Sequence, residues 1–176
     1  MQIKDPISSF TYCPKCRAEL ALENCDHRQR RICKVCGFVD YHNPAPAAGA
    51  IVVRDGKLLL VRRAQNPYKD DWCIPAGFME WDESPRQCAE RELKEETGLE
   101  IRAKSIFEVY SGTDDTRTNA VLILYFCDVV GGEAVAGDDA AELRYCSPSE
   151  IPKNIAFEAH RQAIRDVQDR FPGLLR

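Results

Sequence analysis

Residues 77–99 read GFMEWDESPRQCAERELKEETGL, and the interpretation of the whole chain starts from them. Within this stretch Ser84 is a favourable N-cap, a proline follows it at the first helical position, and Gln87 completes a capping box. Gly98 is a typical left-handed helix stop. The pattern therefore predicts a helix over residues 85–97.

Three glutamates, Glu92, Glu95 and Glu96, project from one face of this helix, because residues three and four apart are neighbours on a helical surface. Like charges at these spacings destabilise a helix, and the helix dipole favours cations in the last turn. A hard divalent cation such as Mg²⁺ needs clustered carboxylate oxygens. The helix alone is compatible with a solvated charged face or with a divalent-metal site.

The wider spacing of the stretch separates these two interpretations. From Gly77 to Leu99 the residues follow G-x5-E-x7-R-E-U-x-E-E-x-G-U without a departure, where U is a bulky aliphatic residue. Glu83 is the isolated glutamate of this pattern, and Arg91 begins its charged helical run. The pattern resembles the signature of the Nudix hydrolases.

The resemblance continues outside this signature, from about residue 12 to about residue 160. It rests on the paired cysteines, Tyr41-x-Asn43-Pro44, Leu58-Leu59-Leu60-Val61-x-Arg63, Trp72-x-Ile74-Pro75-Ala76-Gly77-Phe78 and Ile155-Ala156-Phe157. These features look like those of the zinc-ribbon Nudix hydrolases, a group that includes NADH, FAD and ADP-ribose pyrophosphatases.

Composition limits the classes of protein to consider. The chain has 176 residues, 44% of them hydrophobic and 30% charged, which fits one ordinary domain with a small appendage. Its net charge of −4 argues against a general nucleic-acid binder. The first residues lack a signal-peptide pattern, and the longest apolar run, Ala120–Cys127, is too short to span a bilayer. We therefore expect a cytoplasmic protein with no membrane partner.

Four of the nine cysteines form two Cys-x-x-Cys pairs, Cys13/Cys16 and Cys33/Cys36. This spacing predicts a structural Zn²⁺ site with four thiolate ligands in preference to a disulfide framework. Cys25 and His27 lie between the pairs without that spacing, so we leave them out. The domain prediction is a zinc ribbon over residues 1–43 and a Nudix hydrolase domain over residues 44–176.

The ribbon segment is only slightly basic. Residues 1–43 contain seven Lys or Arg against five Asp or Glu, a net charge of +2. The basic patch is Arg28–Arg31, and no aromatic residue interrupts it. We therefore expect a structural module that contacts the catalytic domain or a second subunit, as in a homodimer, and not a direct reader of nucleic acid.

Local patterns predict the remaining elements. Two strands, 48–54 and 57–63, are joined by Asp55-Gly56, a strong hairpin signal. Further strands are predicted over 72–77, 101–110, 118–130 and 143–146, with a hairpin turn at 131–132 and a final helix over 154–171. Pattern alone gives an α+β or α/β class. The resemblance implies an α/β/α sandwich with a mixed sheet, preceded by a small four-cysteine zinc ribbon.

Roles for the signature residues follow from the resemblance. It implies that Glu92, Glu95 and Glu96 ligate Mg²⁺ or Mn²⁺, with the carbonyl oxygen of Gly77 as a further ligand. Glu83 then supports the metal shell from the loop, and Arg91 pairs with a signature carboxylate and orients the loop. The reaction would be attack of water on a phosphorus of a diphosphate.

The general base is less well defined. In the family it is a signature glutamate or a carboxylate of a later loop, so the candidates are Glu95, Asp138, Asp139 and Glu142. An acidic loop between strands is also typical of a plain solvated turn. The predicted catalytic set is Glu83, Arg91, Glu92, Glu95, Glu96 and Glu142.

Substrate choice depends on motifs that are missing. The motif S-Q-P-W-P-F-P-x-S of NADH pyrophosphatases is absent from residues 100–117, and Gly112–Asp115 lacks the proline frequent in ADP-ribose pyrophosphatases. Tyr110 lies near the position of a tyrosine in diadenosine-polyphosphate hydrolases. We expect ADP-ribose or FAD ahead of NADH as the small-molecule substrate. The candidates for stacking on its adenine are Phe78, Trp81 and Tyr68.

Two alternatives belong to other functional classes. One is a nucleotide- or RNA-binding module that uses the same fold without turnover, and the other is a zinc-ribbon scaffold with vestigial chemistry. A degenerate signature would favour the binding module, whereas every signature position is intact in this chain.

Overall fold

A computed structural model describes residues 10–137 and 139–176. The chain divides between Asn43 and Pro44 into two compact units. None of the helices in the described part of the chain is both long and apolar enough to cross a membrane.

The N-terminal unit contains a three-stranded antiparallel sheet. Its strands are β1 (Leu20–Cys25), β2 (Arg28–Cys33) and β3 (Val39–Asp40), in the order β1-β2-β3. From residue 10 onward, the buried residues of this unit are few, namely Cys13, Leu20 and Cys33, with Ala18 and Phe38 packed against them. So small an apolar cluster favours an additional stabilising cross-link in this unit.

The second unit is built on a seven-stranded mixed sheet. The strands are β4 (Ala45–Arg54), β5 (Lys57–Arg63), β6 (Trp72–Cys73), β7 (Ala76–Phe78), β8 (Leu99–Gly112), β9 (Ala120–Gly132) and β10 (Ala140–Cys146). The order is β10-β5-β4-β9-β8, with β6 paired to β5 and β7 paired to β4. Only the β4–β9 pair is parallel among these pairings.

Two helices, α1 (Pro85–Thr97) and α2 (Glu158–Arg170), cover opposite faces of this sheet. Alternation along β4 shows this division, because Ala48, Ala50 and Val52 pack in the cluster that contains α1. Ile51 points the other way and packs in the cluster that contains α2. The predicted α/β/α sandwich is confirmed.

Helix α1 has the predicted bounds. The Ser84 side chain accepts a hydrogen bond from the backbone N–H of Gln87, whose side chain accepts one from the backbone N–H of Ser84. Gly98 closes the helix in the left-handed conformation, at φ 69°.

The β4–β5 hairpin is also confirmed, and both of its turn residues, Asp55 and Gly56, have positive φ.

The single strand predicted over residues 72–77 is wrong, because the structure has two short strands there. Pro75 has no N–H for a ladder, and its carbonyl accepts from Ala50 N at 3.0 Å. The chain therefore passes from β6, which pairs with β5, to β7, which pairs with β4.

The hairpin turn predicted at residues 131–132 is also wrong. Strand β9 continues through Gly132, which pairs with Leu99 of β8, and β10 lies at the opposite edge of the sheet. The final helix begins at Glu158, later than predicted, because Ile155 forms a bridge with Trp72 and keeps that segment extended.

Candidate functional site

A cavity of about 320 Å³ opens in the second unit, between the N-terminal part of β4, the start of α2 and one face of α1. Glu92 and Glu96 of α1 line it together with Gly77. A Cβ atom built on Gly77 would collide with the Glu92 carboxylate, so only glycine allows that carboxylate to lie against the backbone. This contact explains why the signature begins with glycine.

Glu96 is the most unusual carboxylate of the site. It is only 8% exposed, and its Oε2 atom has no hydrogen-bond partner among the described residues. Burial, with a further contribution from the nearby Glu92 charge, raises the pKa of Glu96 to about 8. A buried carboxylate with an unpartnered oxygen is costly unless something positive compensates it.

Arg91 connects the other signature carboxylates. Its Nη1 donates to Glu92 Oε1 at 2.8 Å and to Glu95 Oε2 at 3.0 Å. Its Nη2 donates to Glu83 Oε1 at 2.6 Å and to the Phe78 carbonyl at 3.1 Å. Arg91 therefore ties the loop after β7 to the helix, and it lowers the pKa of Glu83 to about 2.

The predicted ligands do not all occupy the same place. Glu92 and Glu96 line the cavity, since one helical turn separates them. Glu95 is not among the lining residues, and its side chain is 59% exposed. A step of one residue turns the direction of the side chain by about 100°, which directs Glu95 away from Glu96. Across the described residues, the cluster that meets metal-ligand spacing consists of cysteines and not of these glutamates.

The cavity nevertheless fits a hard divalent cation. Its possible donors are carboxylate oxygens of Glu92 and Glu96 and the carbonyl oxygen of Gly77, the ligand type that Mg²⁺ and Mn²⁺ prefer. The unpartnered Glu96 Oε2 is the atom that such an ion would satisfy.

Of the loop carboxylates, Asp139 reaches the cavity and Glu142 does not. The segment before Asp139 is fastened to the end of α1, because Gly137 N donates to the Glu96 carbonyl at 3.0 Å. Gln65 Nε2 then donates to Asp139 Oδ1 at 2.7 Å. Glu142 instead accepts from Arg62 and Arg144 outside the cavity. Asp138 lies outside the described residues.

The aromatic residues predicted to stack on the adenine lie in different places. Phe78 lines the cavity, whereas Trp81 is fully exposed and Tyr68 donates to the Asp114 carbonyl and contacts Phe157 edge-on. Tyr110 lies in the core and donates to Asp166 Oδ2 at 2.7 Å.

Several cavity residues escaped the sequence-based prediction. Their charged members are Arg63, Glu80, Asp114, Asp115 and Arg117, and His160 also lines the cavity. Arg63 belongs to the quoted hairpin motif, but no local pattern distinguishes Asp114, Asp115 and Arg117 from an ordinary polar loop or His160 from a buried helical residue.

Four of the five cysteines of the N-terminal unit, Cys13, Cys16, Cys33 and Cys36, form the predicted cluster. Their sulfur atoms all lie within 4.8 Å of one another, with Cys13–Cys36 at 3.6 Å and Cys16–Cys33 at 3.4 Å. Four sulfurs around a tetrahedral Zn²⁺, with Zn–S bonds of about 2.3 Å, would lie about 3.8 Å apart. The cluster therefore has the chemistry and the size of a tetrathiolate zinc site.

Residues 43–167 match a model of the NUDIX domain family, which is well over half of the chain. This chain belongs to the Nudix family. The names of several Nudix relatives state a specific activity. An ADP-ribose pyrophosphatase of Methanocaldococcus jannaschii is 42% identical over 127 residues, which are 72% of this chain and 74% of the relative. The NAD-capped RNA hydrolase NudC of Pseudomonas aeruginosa is 27% identical over 161 residues, 91% of this chain and 55% of NudC.

Among solved Nudix structures, a hydrolase from Nitrosomonas europaea superposes with a TM-score of 0.80 and 31% identity. The match covers 93% of this chain and 94% of that structure, so it includes both units. The chain is therefore a Nudix hydrolase by sequence and by fold.

Proposed function

We propose that this Nudix hydrolase is a divalent-metal-dependent pyrophosphohydrolase that cleaves the diphosphate of a nucleoside diphosphate linked to a second group, with ADP-ribose as the favoured substrate. The observation that carries the proposal is Glu96, a buried glutamate with an unpartnered oxygen beside Glu92 in the cavity.

The charge of the cavity supports metal dependence. Its lining includes the carboxylates of Glu80, Glu92, Glu96, Asp114, Asp115 and Asp139 and the guanidinium groups of Arg63 and Arg117. Six acids against two arginines would repel a diphosphate anion. Cations held by the carboxylates reverse this repulsion, so substrate binding and metal binding should occur together.

A bound Mg²⁺ or Mn²⁺ would supply charge neutralisation at the phosphate oxygens and would acidify a water molecule. The protein's own contribution is placement. Glu92, Glu96 and the Gly77 carbonyl would hold the ion, and Arg91 orients Glu92 and the loop through Glu83. We assign the general base to Asp139, which faces the cavity and accepts the proton of the attacking water as the bridging P–O bond breaks.

ADP-ribose is favoured because the relative with 42% identity over most of both chains is an ADP-ribose pyrophosphatase.

A second candidate is the NAD cap of RNA, since the match to NudC extends over 91% of this chain. In the N-terminal unit the structure adds one feature to that candidate: the Tyr41 ring lies 4.8 Å from the Arg30 guanidinium carbon, so an aromatic side chain does accompany the basic patch.

The test is phosphate release, after coupling to a phosphatase, from ADP-ribose, FAD, NADH, diadenosine polyphosphates and nucleoside triphosphates in Mg²⁺. NAD-capped and triphosphate-capped RNA are assayed in parallel. We expect a strong preference for ADP-ribose that is lost on addition of EDTA and in Glu92→Gln. A preference for capped RNA would select the second candidate, and no turnover of any substrate by a folded, metal-binding protein would refute both.

A further inference from the structure

Phe78 presents an aromatic face to the cavity from a fixed position. Its strand β7 pairs with β4 at Ala47, and its carbonyl accepts from Arg91 Nη2 at 3.1 Å. The side chain is nevertheless 37% exposed, which is high for a phenylalanine beside the signature helix. A rigid backbone with an open ring is suited to contact with a ligand and not to core packing.

Arg117 lies over this ring. Its guanidinium carbon lies 5.6 Å from the centre of the Phe78 ring. Asp115 holds the arginine in place, because Oδ1 accepts from Arg117 N at 2.8 Å and from Nε at 3.0 Å, and Oδ2 accepts from Nη2 at 2.8 Å. The Asp115 side chain is 8% exposed, whereas that of Arg117 is 52% exposed. The pair therefore consists of a buried carboxylate and an exposed planar group.

The pairing with Asp115 limits what Arg117 can recognise. A guanidinium that is already bonded side-on to a buried carboxylate is largely neutralised, so it is a poor site for a phosphate. It still offers a flat face for stacking. The hydrogen bonds and charge of Asp115, with a smaller contribution from the charge of Asp139, raise the pKa of Arg117.

We propose that Arg117 and Phe78 form a clamp that selects the nucleobase of the substrate, with Asp115 as the anchor of the movable half. This inference rests on the proposed function, because it names the part of a nucleoside diphosphate that the cavity reads. The substrate class is a diphosphate that carries a planar base, and sugar diphosphates without a base are discriminated against.

The spacing requires the clamp to open. A base inserted between two planar groups needs about 7 Å between them, twice the optimal contact of about 3.5 Å. The 5.6 Å separation is too small, so Arg117 must move outward while Phe78 stays fixed. Its exposure allows this movement, and Asp115 limits how far it goes.

The test is calorimetric titration of the full chain in Mg²⁺ with AMP and with ribose 5-phosphate, two ligands that the enzyme cannot hydrolyse at a diphosphate. We expect Arg117→Ala to bind AMP about five- to thirtyfold more weakly and ribose 5-phosphate as wild type does. Arg117→Lys should resemble Arg117→Ala, because lysine keeps the charge without the planar face. Arg165→Ala is the matched control, since Arg165 is also exposed and ion-paired but lies on α2 outside the cavity.

The double variant Arg117→Ala/Phe78→Ala should lose less affinity for AMP than the sum of the single losses, because both side chains contact one base. Equal weakening of both ligands, or full AMP affinity in Arg117→Lys, would overturn the clamp and make Arg117 a charge contact. Wild-type protein that binds AMP no better than ribose 5-phosphate would also overturn it. Turnover of ADP-ribose is measured separately, so a protein that binds AMP through the clamp without hydrolysing ADP-ribose would refute the proposed function alone.

Discussion

Arg91 holds Glu83 through two parallel hydrogen bonds, with Nη2 donating to Oε1 at 2.6 Å and Nε donating to Oε2 at 2.9 Å. Glu83 Oε1 also accepts from the backbone N–H of Glu80 at 2.8 Å, which fixes the loop between β7 and α1. This fork-to-fork geometry is available to arginine and not to lysine. The arginine and the isolated glutamate of the signature are therefore one structural unit.

Arg91→Lys tests this unit. A lysine cannot bridge Glu83, Glu92 and Glu95 at once, and the Arg91 side chain is only 29% exposed. We expect the free energy of unfolding, measured in urea, to fall by about 1–3 kcal/mol, with a lower kcat for ADP-ribose. Arg165→Lys on the surface of α2 should change stability by less than about 0.5 kcal/mol. Equal stability of the two variants would contradict this role of Arg91.

Relative to wild type, the Glu96→Gln variant should not be destabilised without metal, but it should lose the rise in melting temperature that Mg²⁺ gives. The folded-state pKa of Glu96, about 8, lies above the unfolded value, so in metal-free protein this group makes folding less favourable as pH rises from about 4.5 to 8. Glutamine does not titrate, and at pH 8 without metal the variant should have a melting temperature equal to or above that of wild type. Excess Mg²⁺ should raise the melting temperature of wild type, by mass action, and not that of the variant. Equal Mg²⁺ stabilisation of both proteins would exclude Glu96 as a ligand.

Asp139→Asn and Glu142→Gln distinguish the two loop carboxylates. Asp139 faces the cavity, whereas Glu142 is paired with Arg62 and Arg144. We expect Asp139→Asn to lower kcat by about 10²–10⁴-fold with little change in KM, as for loss of a general base. Glu142→Gln should retain wild-type kcat, and the reverse result would restore Glu142 as the base.

The buried His160 should make the free energy of unfolding fall as the pH is lowered. Its Nδ1 accepts from Ile74 N at 3.1 Å, and burial, with the charges of Arg63 and Arg161, lowers its pKa to about 3. Because the unfolded histidine titrates near 6.5, the unfolded state binds the extra proton below that pH, and stability falls by up to about 1.4 kcal/mol per pH unit as pH drops from 6.5 towards 3.

Replacement of this histidine with glutamine removes the titration and keeps an acceptor for Ile74 N. Urea unfolding between pH 7 and 5 should therefore show a shallower loss of stability in His160→Gln than in wild type. Between pH 7 and 8 the free energy of unfolding should change with pH equally in the variant and in wild type. A difference that persists there would mean that a titratable group other than His160 is responsible.

The cysteine cluster predicts one zinc per chain. Elemental analysis of purified protein should find it, and Cys33→Ser should lose it, because three thiolates and a serine hydroxyl make a weaker tetrahedral site. Cys25→Ser is the matched control, since Cys25 lies in the same unit outside the cluster. Stoichiometric zinc in Cys33→Ser would contradict the assignment.

Much of this architecture depends on signals that lie close together in the sequence. The bounds of α1 follow from Ser84, Gln87 and Gly98, whose hydrogen bonds and φ angle involve neighbouring residues. The β4–β5 hairpin follows in the same way from Asp55-Gly56. These elements could be predicted because their stabilising interactions are local.

The full composition of the site could not be predicted, because part of it depends on contacts between distant segments. The sequence by itself determined the family, the α1 helix, the carboxylates it carries and the pairing of four cysteines. Only the tertiary structure decided that Glu96 faces the cavity while Glu95 does not, that Asp139 and not Glu142 reaches it, and that Arg117 covers Phe78. The physical reason is that strand pairing and helix packing across the whole second unit fix these directions, and no short stretch of sequence encodes them.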